Sequence, residues 1–215
     1  GFAHVGDEGK RDVLAFTGSG SVGRRLLEYA ARSNLKRVTL ELGGKSPNII
    51  FADADLEDRV SGTIRECFNN SGQSCDAPTR MLVPRNRQAE APKVAKEVAD
   101  AIKVGDPRDE ATVMGPLVSK MQFDKVQKLI QAGIDEGATL VTGGVGRPAD
   151  LNRGWFVRPT VFGDVVNSMT ISKEEIFGPV LAIQPYDSIE DAIAQGNDTI
   201  YGLAAYIAGP VEDAK

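Results

Sequence analysis

The chain has 215 residues, of which 41% are hydrophobic and 26% charged, and its net charge is −5. A chain of this length and composition buries a substantial core, as one large domain or two small ones. There is no basic stripe, no apolar run as long as a membrane-spanning helix, and no signal-peptide pattern at the N-terminus. We therefore expect a cytoplasmic protein that binds neither nucleic acid nor membranes.

The chain contains two cysteines, Cys67 and Cys75, and a single histidine, His4. Two thiols do not make a disulfide framework, and one histidine leaves a zinc site short of ligands, so we expect no metal. A Cys-His or Ser-His pair would depend on a residue at the very start of the chain. Acid–base chemistry is therefore expected from carboxylates.

The first 42 residues have the pattern of a β-α-β unit. Strands are expected over residues 12–16 and 38–42, with a helix from Arg24 to about Ser33 between them. The segment from Gly18 to Gly23 reads Gly-x-Gly-x-x-Gly, and Glu41 lies at the end of the second strand. In this context the glycines let the backbone approach a pyrophosphate at a helix N-terminus, and the acid binds a ribose. A tight turn that only leads into the helix is the alternative.

The rest of the chain alternates helices and strands. An apolar segment at residues 48–51 precedes a helix over about 55–67, and a polar loop then leads to a strand at 80–83. Further helices are expected at 88–104, after Ser119 and after Ser188, and further strands at 138–141, 155–162, 180–186 and 201–207. This alternation predicts an α/β fold with a largely parallel sheet. The last five residues resemble the start of a helix, so we expect the chain to be truncated.

The loop from Phe68 to Arg80 is the most informative segment for chemistry. It carries Cys75 between a glycine-containing turn and the start of a strand, an arrangement that presents a thiol as a nucleophile. A cysteine is nevertheless more often structural, and the residues alone leave both interpretations open for Cys75. Cys67 lies within an apolar helical pattern and is expected in the core.

Several separated motifs, in order along the chain, resemble the aldehyde dehydrogenase superfamily. They are a turn at Phe16–Ser19, a strand end at Leu40–Asn48, a loop at Gly72–Cys75, a loop at Glu174–Pro179, and Asn197 followed by Tyr201-Gly202-Leu203. These matches span nearly the whole chain. The resemblance implies an oxidoreductase that converts an aldehyde to a carboxylic acid with NAD or NADP.

The resemblance also implies a role for each site residue. Cys75 attacks the aldehyde carbonyl to give a thiohemiacetal, and hydride loss to the nicotinamide leaves a thioester. Glu41 activates the water that hydrolyses this thioester, and the backbone N–H of Cys75 supplies part of the oxyanion hole. Glu175 holds the nicotinamide ribose with Phe177 nearby, and the cofactor faces Thr17, Gly18 and Ser19.

The resemblance divides the chain into two parts. Residues 1–41 correspond to the C-terminal remnant of the NAD(P)-binding domain, a partial β-α-β unit. Residues 42–215 correspond to an aldehyde dehydrogenase-like catalytic domain, truncated at its C-terminus, with a largely parallel sheet and flanking helices. Superfamily members are longer, and the missing parts carry an oxyanion-hole asparagine, a lysine that contacts the cofactor and a segment that pairs subunits. We expect the full-length protein to be an active homo-oligomer and the isolated chain to be weakly active or inactive.

Two other functions stay open. One is a non-covalent Rossmann-type dehydrogenase in which Glu41 binds ribose, and the other is a non-enzymatic structural module derived from the fold. At single positions, alternatives to the family motifs also stay open: Glu175 forms a Ser-x-x-Glu pattern with Ser172 that would cap a helix, and Lys45 could be a solvated loop charge. Asp76 would disfavour a neighbouring thiolate if it pointed inward, so we expect it to point away.

Overall fold

The computed structural model describes residues 13–210, and its contacts divide the chain into two compact units at Gly43 and Gly44. The expectations for His4, for the first residue of the first strand and for the last five residues lie outside the described range. Each unit is described by itself below.

The first unit is a β-α-β unit. It contains β1 (Val13–Thr17), α1 (Gly20–Arg32) and β2 (Arg37–Glu41). The two strands pair in parallel, with Thr17 opposite Glu41. The helix begins four residues before the expected start, so Gly20 and Gly23 lie inside it and not in a loop. A Cβ at Gly23 would come within 2.9 Å of Leu42 Cδ2, which shows why this face of the helix carries a glycine.

The second unit is built on a six-stranded sheet. Its strands are β3 (Pro47–Ile50), β4 (Arg80–Pro84), β5 (Thr139–Thr142), β6 (Thr160–Gly163), β7 (Val180–Tyr186) and β8 (Tyr206–Ala208). Their order in the sheet is β5-β6-β7-β4-β3-β8, and every pair is parallel except the antiparallel pair β5-β6. The expected α/β fold with a largely parallel sheet is therefore confirmed. The central strands β3 and β4 are continuously buried, as is typical of parallel sheets that are covered on both faces.

Two of the strands are shorter than the sequence predicts. Residues 155–159 were expected to belong to a strand, but β6 begins only at Thr160. Pro159 has no N–H to donate to a ladder, and the Trp155 carbonyl accepts a hydrogen bond from the Leu117 N–H at 2.9 Å. Residues 201–205 also lie outside β8, and they line a cavity that is described below.

Within the described residues, five α-helices flank this sheet. They are α2 (Leu56–Phe68), α3 (Ala91–Asp100), α4 (Lys120–Asp135), α5 (Thr170–Lys173) and α6 (Ile189–Asn197). Side-chain oxygens of Asp55, Ser119 and Ser188 accept backbone N–H groups in the first turns of α2, α4 and α6, which fixes where these helices begin. Within residues 13–210, every helix is too short or too polar to cross a lipid bilayer.

The core consists mainly of two clusters of buried side chains. The larger one joins α2 and α3 to the sheet through residues such as Val60, Ile64 and Met81, and it includes Cys67. The other joins α4 to the sheet through Val126, Ile130 and neighbouring residues. Cys67 is completely buried, so its expected place in the core is confirmed.

A buried hydrogen bond between two strands gives a first testable prediction. The Tyr186 hydroxyl donates to the Ile50 carbonyl at 2.7 Å, and Tyr186 is buried. Replacing Tyr186 with Phe leaves that carbonyl unpaired, so we expect the free energy of unfolding to fall by about 1–2 kcal/mol. Urea denaturation measures the change, with the exposed Tyr29→Phe as the matched control. Equal midpoints for the two variants would contradict the prediction.

Candidate active site

The loop that presents Cys75 begins where α2 ends. A 3₁₀ turn covers Asn69–Gly72, and within it Asn70, Ser71 and Gly72 have φ values of 49°, 59° and 70°. Two consecutive non-glycine residues in the left-handed region are costly, and such conformations persist only where the surroundings hold them in place. Strained backbone of this kind is concentrated at functional sites.

Side-chain hydrogen bonds hold this strained turn. Ser71 Oγ donates to the Gly115 carbonyl at 2.9 Å, and Gln73 Oε1 accepts the Val118 N–H at 2.9 Å. Gln73 Nε2 also donates to the Asn70 carbonyl at 3.1 Å. The sequence reasoning missed these roles of Ser71 and Gln73. The only signal was their position immediately before the cysteine.

Cys75 follows in a turn and is partly exposed. Among the described residues its backbone N–H donates no hydrogen bond. The carboxylate of the neighbouring Asp76 is exposed and accepts a hydrogen bond from Ser74 Oγ at 2.6 Å. The Asp76 carboxylate therefore forms a hydrogen bond within its own loop.

Gly44 connects the cysteine loop with Glu175. A Cβ at Gly44 would come within 2.2 Å of the Cys75 carbonyl oxygen, so only glycine permits this approach. The Gly44 N–H donates to Glu175 Oε1 at 3.2 Å. The structure thus brings Cys75 and Glu175, two of the predicted site residues, around one glycine.

A second glycine joins the same two loops through their backbones. A Cβ at Gly72 would lie 2.2 Å from the Gly178 carbonyl atoms, so the turn before Cys75 packs directly on the segment after Phe177. Phe177 itself is partly buried and has a φ of 56°. Gln122 of α4 donates to the Ile176 and Phe177 carbonyls at 3.0 and 2.7 Å, which fixes this segment.

Two serine-based capping patterns in the sequence have a different structural explanation, because the side chain three residues after each serine binds elsewhere. Ser119 accepts the Gln122 N–H as in a capping box, but the Gln122 side chain holds the Phe177 segment and does not return to the helix start. The pattern of Ser172 with Glu175 is not a cap. Ser172 is buried inside α5, where its hydroxyl donates to Gln184 at 3.0 Å, and the Glu175 carboxylate binds Gly44.

Four further predicted site residues lie together in the first unit. Thr17 and Glu41 end the two parallel strands opposite one another, and the Gly18 N–H donates to the Glu41 carbonyl at 3.0 Å. Ser19 occupies the N-cap of α1; its hydroxyl forms a hydrogen bond of 3.1 Å with the Ser21 hydroxyl and accepts no backbone N–H of the helix. The first backbone N–H groups of α1 thus lack a side-chain cap. The Glu41 side chain is exposed.

Lys45 is buried, so its interpretation as a solvated loop charge is wrong. Its exposed fraction is 2%, and its Nζ atom has no hydrogen-bond partner among the described residues. Burial, aided by the neighbouring Arg80 guanidinium, lowers the pKa of Lys45 to about 7. A sequence pattern does not reveal this, because glycines and a proline on either side are typical of an exposed loop.

Arg80 is the buried charge beside Lys45, and its guanidinium binds three backbone carbonyls. Nε donates to the Lys45 carbonyl at 2.9 Å, while the terminal nitrogens donate to the Gln195 and Gly196 carbonyls at 2.9 and 2.8 Å. The latter two carbonyls lie at the C-terminal end of α6, where a cation is favourable. Arg80 therefore ties the strand after the cysteine loop to residue 45 and to α6.

The two thiols differ strongly in their surroundings. Cys67 is completely buried, and burial raises the pKa of its thiol to about 12. A thiol in this state carries almost no thiolate at neutral pH and is a poor nucleophile. Cys75 is the partly exposed one. Across residues 13–210, no group of three or more His, Cys, Asp or Glu side chains is arranged to bind a metal ion.

Comparisons with known proteins agree with the family resemblance of the sequence. The aldehyde dehydrogenase family model matches residues 4–214. A Staphylococcus epidermidis protein that carries an aldehyde dehydrogenase name is 47% identical over 201 residues, which are 94% of this chain and 42% of that protein. The chain therefore spans about two fifths of the length of that relative.

Solved structures give the same result for the fold. Aldehyde dehydrogenase C from Pseudomonas syringae, a mutant in complex with NAD+ and octanal, superposes with a TM-score of 0.92 at 50% identity. An aldehyde dehydrogenase of Mycobacterium tuberculosis in complex with NAD+ superposes with a TM-score of 0.91 at 48% identity. In both cases the match covers 94% of this chain and 42% of the other.

Proposed function

This chain belongs to the aldehyde dehydrogenase family, and on that premise we propose that it carries the nucleophile of an enzyme that oxidises an aldehyde to a carboxylic acid with NAD or NADP. The observation that carries the proposal is the packing of the Cys75 loop against the Glu175–Gly178 segment through Gly44 and Gly72. Two segments with separate expected roles, one for the thiol and one for the cofactor, meet in a single arrangement.

Cys75 performs the covalent chemistry in this proposal. Its sulfur attacks the carbonyl carbon of the aldehyde, and the resulting thiohemiacetal loses hydride to become a thioester. The Cys75 backbone N–H, which donates to no other described group, stabilises the negative oxygen that forms during the attack. Cys67 takes no part, because it is buried and its pKa is raised to about 12.

Glu41 is the general base of the proposal. It takes a proton from the water that hydrolyses the thioester, a role that the histidine-poor composition leaves to carboxylates. Its place at the carboxyl end of β2, beside the Gly18 turn, is where parallel sheets hold catalytic groups. The approach of Glu41 to Cys75 in the active enzyme is part of the proposal.

The residues proposed to bind the cofactor come from both units. Thr17, Gly18 and Ser19 border the uncapped start of α1, whose N–H groups favour a pyrophosphate. Glu175 would hold the nicotinamide ribose with Phe177 nearby, and the Glu175 carboxylate accepts the Gly44 N–H. Bound NAD or NADP supplies the hydride acceptor. The NAD+ complexes of the Pseudomonas and Mycobacterium relatives, one of them with octanal, support this cofactor and an aldehyde substrate.

The remaining parts of the proposal concern the whole protein. The chain covers 42% of the length of these relatives. We propose that by itself it turns over substrate weakly or not at all. We also propose that the full-length protein is a homo-oligomer and that it is located in the cytoplasm.

A single-turnover experiment tests the proposal. The full-length protein that contains this segment is mixed with NAD and a short aldehyde, quenched in acid and mapped by mass spectrometry. We expect an acyl thioester on Cys75 that requires NAD, is absent from Cys75→Ala and accumulates in Glu41→Gln, because hydrolysis without its base slows by about 10²–10⁴-fold.

Other results would favour the competing functions. NADH formation by Cys75→Ser without any acyl group on the protein would indicate a non-covalent dehydrogenase. A full-length protein that forms no adduct and whose melting temperature does not respond to nucleotide would indicate a structural module. Robust steady-state turnover by the 215-residue chain would contradict the expectation that the missing parts are required.

A further inference from the structure

One side chain, that of Gln73, holds the backbone just before Cys75. Gln73 Oε1 accepts the Val118 N–H at 2.9 Å, and Gln73 Nε2 donates to the Asn70 carbonyl at 3.1 Å. The Gln73 N–H donates to the same carbonyl at 3.2 Å, and Asn70 Nδ2 donates to the Gln73 carbonyl at 3.1 Å. Gln73 is thus joined to Asn70 by three hydrogen bonds, and a fourth joins it to the residue before the N-cap of α4.

These bonds matter because the turn that they close is strained. Asn70 and Ser71 have φ values of 49° and 59°, a region that residues other than glycine rarely occupy unless the surroundings hold them there. Ser71 is held separately, by its bond to the Gly115 carbonyl. Gln73 lies closer to Cys75 along the chain than Ser71 does, so its bonds are the ones that fix the approach to the sulfur.

The backbone just after Cys75 is held by Tyr206, whose hydroxyl donates to the Asp76 carbonyl at 3.1 Å. Residues 201–205, which precede Tyr206, line a cavity of about 250 Å³ together with Lys45 and the end of α6. Tyr206 itself begins β8 and is paired with Asn48 of β3, so its hydroxyl extends from a residue that the sheet fixes. Burial raises the pKa of Tyr206, which keeps this hydroxyl protonated and able to donate.

Between these two anchors, the Cys75 carbonyl packs against Gly44. A Cβ at Gly44 would lie 2.2 Å from the Cys75 carbonyl oxygen, so the backbone of the cysteine cannot shift toward this glycine. With the backbone held before, at and after Cys75, the sulfur retains mainly the rotation of its own side chain.

From these contacts we propose that Gln73 and Tyr206 are positioning residues for Cys75, which fix the backbone on either side of the sulfur and so set the geometry of its attack on the aldehyde. The inference rests on the proposed function for the identity of the reaction. Neither side chain exchanges a proton with the substrate or touches it in this role.

The expected effects follow from how sharply a nucleophilic attack depends on position. The reacting atoms must approach to about 3–3.5 Å in line, and a displacement of about 1 Å costs about a hundredfold in rate. Gln73→Met loses the bonds to Val118 and from the side chain to Asn70, so it releases the strained turn. Tyr206→Phe loses a single bond between neutral groups, and its effect should be smaller.

Single-turnover kinetics of the full-length protein test the inference, with saturating NAD and the enzyme in excess over a short aldehyde. We expect Gln73→Met to slow NADH formation about a hundredfold and Tyr206→Phe about tenfold. Gln73→Glu keeps the acceptor for the Val118 N–H but not the amide donor, so it should recover part of the rate. The affinity for NAD should change far less than the rate, because Ser71 still anchors the turn where it meets the Gly178 segment.

Two matched controls separate positioning from stability. Tyr186→Phe also loses a hydroxyl bond to a carbonyl, that of Ile50, and should lower stability without slowing NADH formation. Gln131→Met removes an exposed amide that binds Asp135 on α4 and should behave as the wild type. The inference is overturned if Gln73→Met keeps the wild-type rate, or if Tyr186→Phe slows the reaction as much as Tyr206→Phe does.

Amide hydrogen exchange over residues 69–76 reports on the loop without any chemistry. We expect faster exchange there in Gln73→Met and no change in Gln131→Met, and equal exchange in the two variants would overturn the inference. Failure of the proposed function is a separate result, in which the wild type itself forms no acyl thioester. Faster exchange in Gln73→Met would in that case still support a role of Gln73 in holding the loop.

Discussion

Iodoacetamide is expected to alkylate Cys75 at least about a hundredfold faster than Cys67 in the folded chain. Cys67 is completely buried in the larger core cluster, and burial raises the pKa of its thiol to about 12. At pH 8 a thiol with that pKa is ionised in only about one molecule in ten thousand, which leaves almost no nucleophilic thiolate. Cys75 is partly exposed on its loop, so the reagent reaches it without unfolding.

Two single-cysteine variants make this measurement direct. Cys67→Ala leaves only Cys75, and Cys75→Ala leaves only Cys67, so intact-mass spectrometry over time gives each rate separately. In urea both thiols should react at similar rates, which controls for sequence effects. Faster alkylation of Cys67 in the folded chain would remove the basis for assigning the nucleophile to residue 75.

Replacing Arg80 with Met is expected to lower the free energy of unfolding by about 3–5 kcal/mol. Arg80 is completely buried, and its guanidinium is the donor to the Lys45, Gln195 and Gly196 carbonyls. Methionine fills much of the volume but donates nothing, so three carbonyls lose the bonds that Arg80 makes. A loss of this size is a large fraction of the stability of an ordinary domain, which is about 5–15 kcal/mol.

Urea denaturation with matched variants checks the Arg80 prediction. Arg80→Lys keeps a positive charge but cannot reach three carbonyls at once, so it should recover only part of the loss. Arg85→Met removes an exposed arginine that pairs with Asp187, and we expect no measurable change there. The prediction fails if Arg80→Met and Arg85→Met unfold at the same urea concentration.

Much of the fold follows from local patterns in the sequence. Apolar positions at helical spacing, with capping residues such as Ser119 and Ser188, located the helices because caps act within one turn. The strand at Val180–Tyr186 was equally accessible, since a central strand of a parallel sheet is a continuous apolar run. The strands predicted at 155–162 and 201–207 are longer than the observed strands for a separate reason. Apolar composition does not reveal whether a segment has a strand to pair with.

The interactions that shape the candidate site could not be predicted from local patterns in the sequence. Two of the three bonds of Arg80 depend on α6, which is more than a hundred residues further along the chain. The Gly72 conformation depends on the approach of Gly178, another long-range contact. Cys75 and Glu175 could be nominated only through the family resemblance, because a single cysteine and a Ser-x-x-Glu pattern each have a common structural explanation.

The direct backbone contact between Gly72 and Gly178 has a consequence for engineering this protein. Because the two backbones touch with no side chain between them, a displacement of one loop displaces the other. Lengthening or reshaping residues 174–178 would therefore also displace the backbone that leads to residue 75. Substitutions that preserve the main-chain path are the safer route to altering either loop.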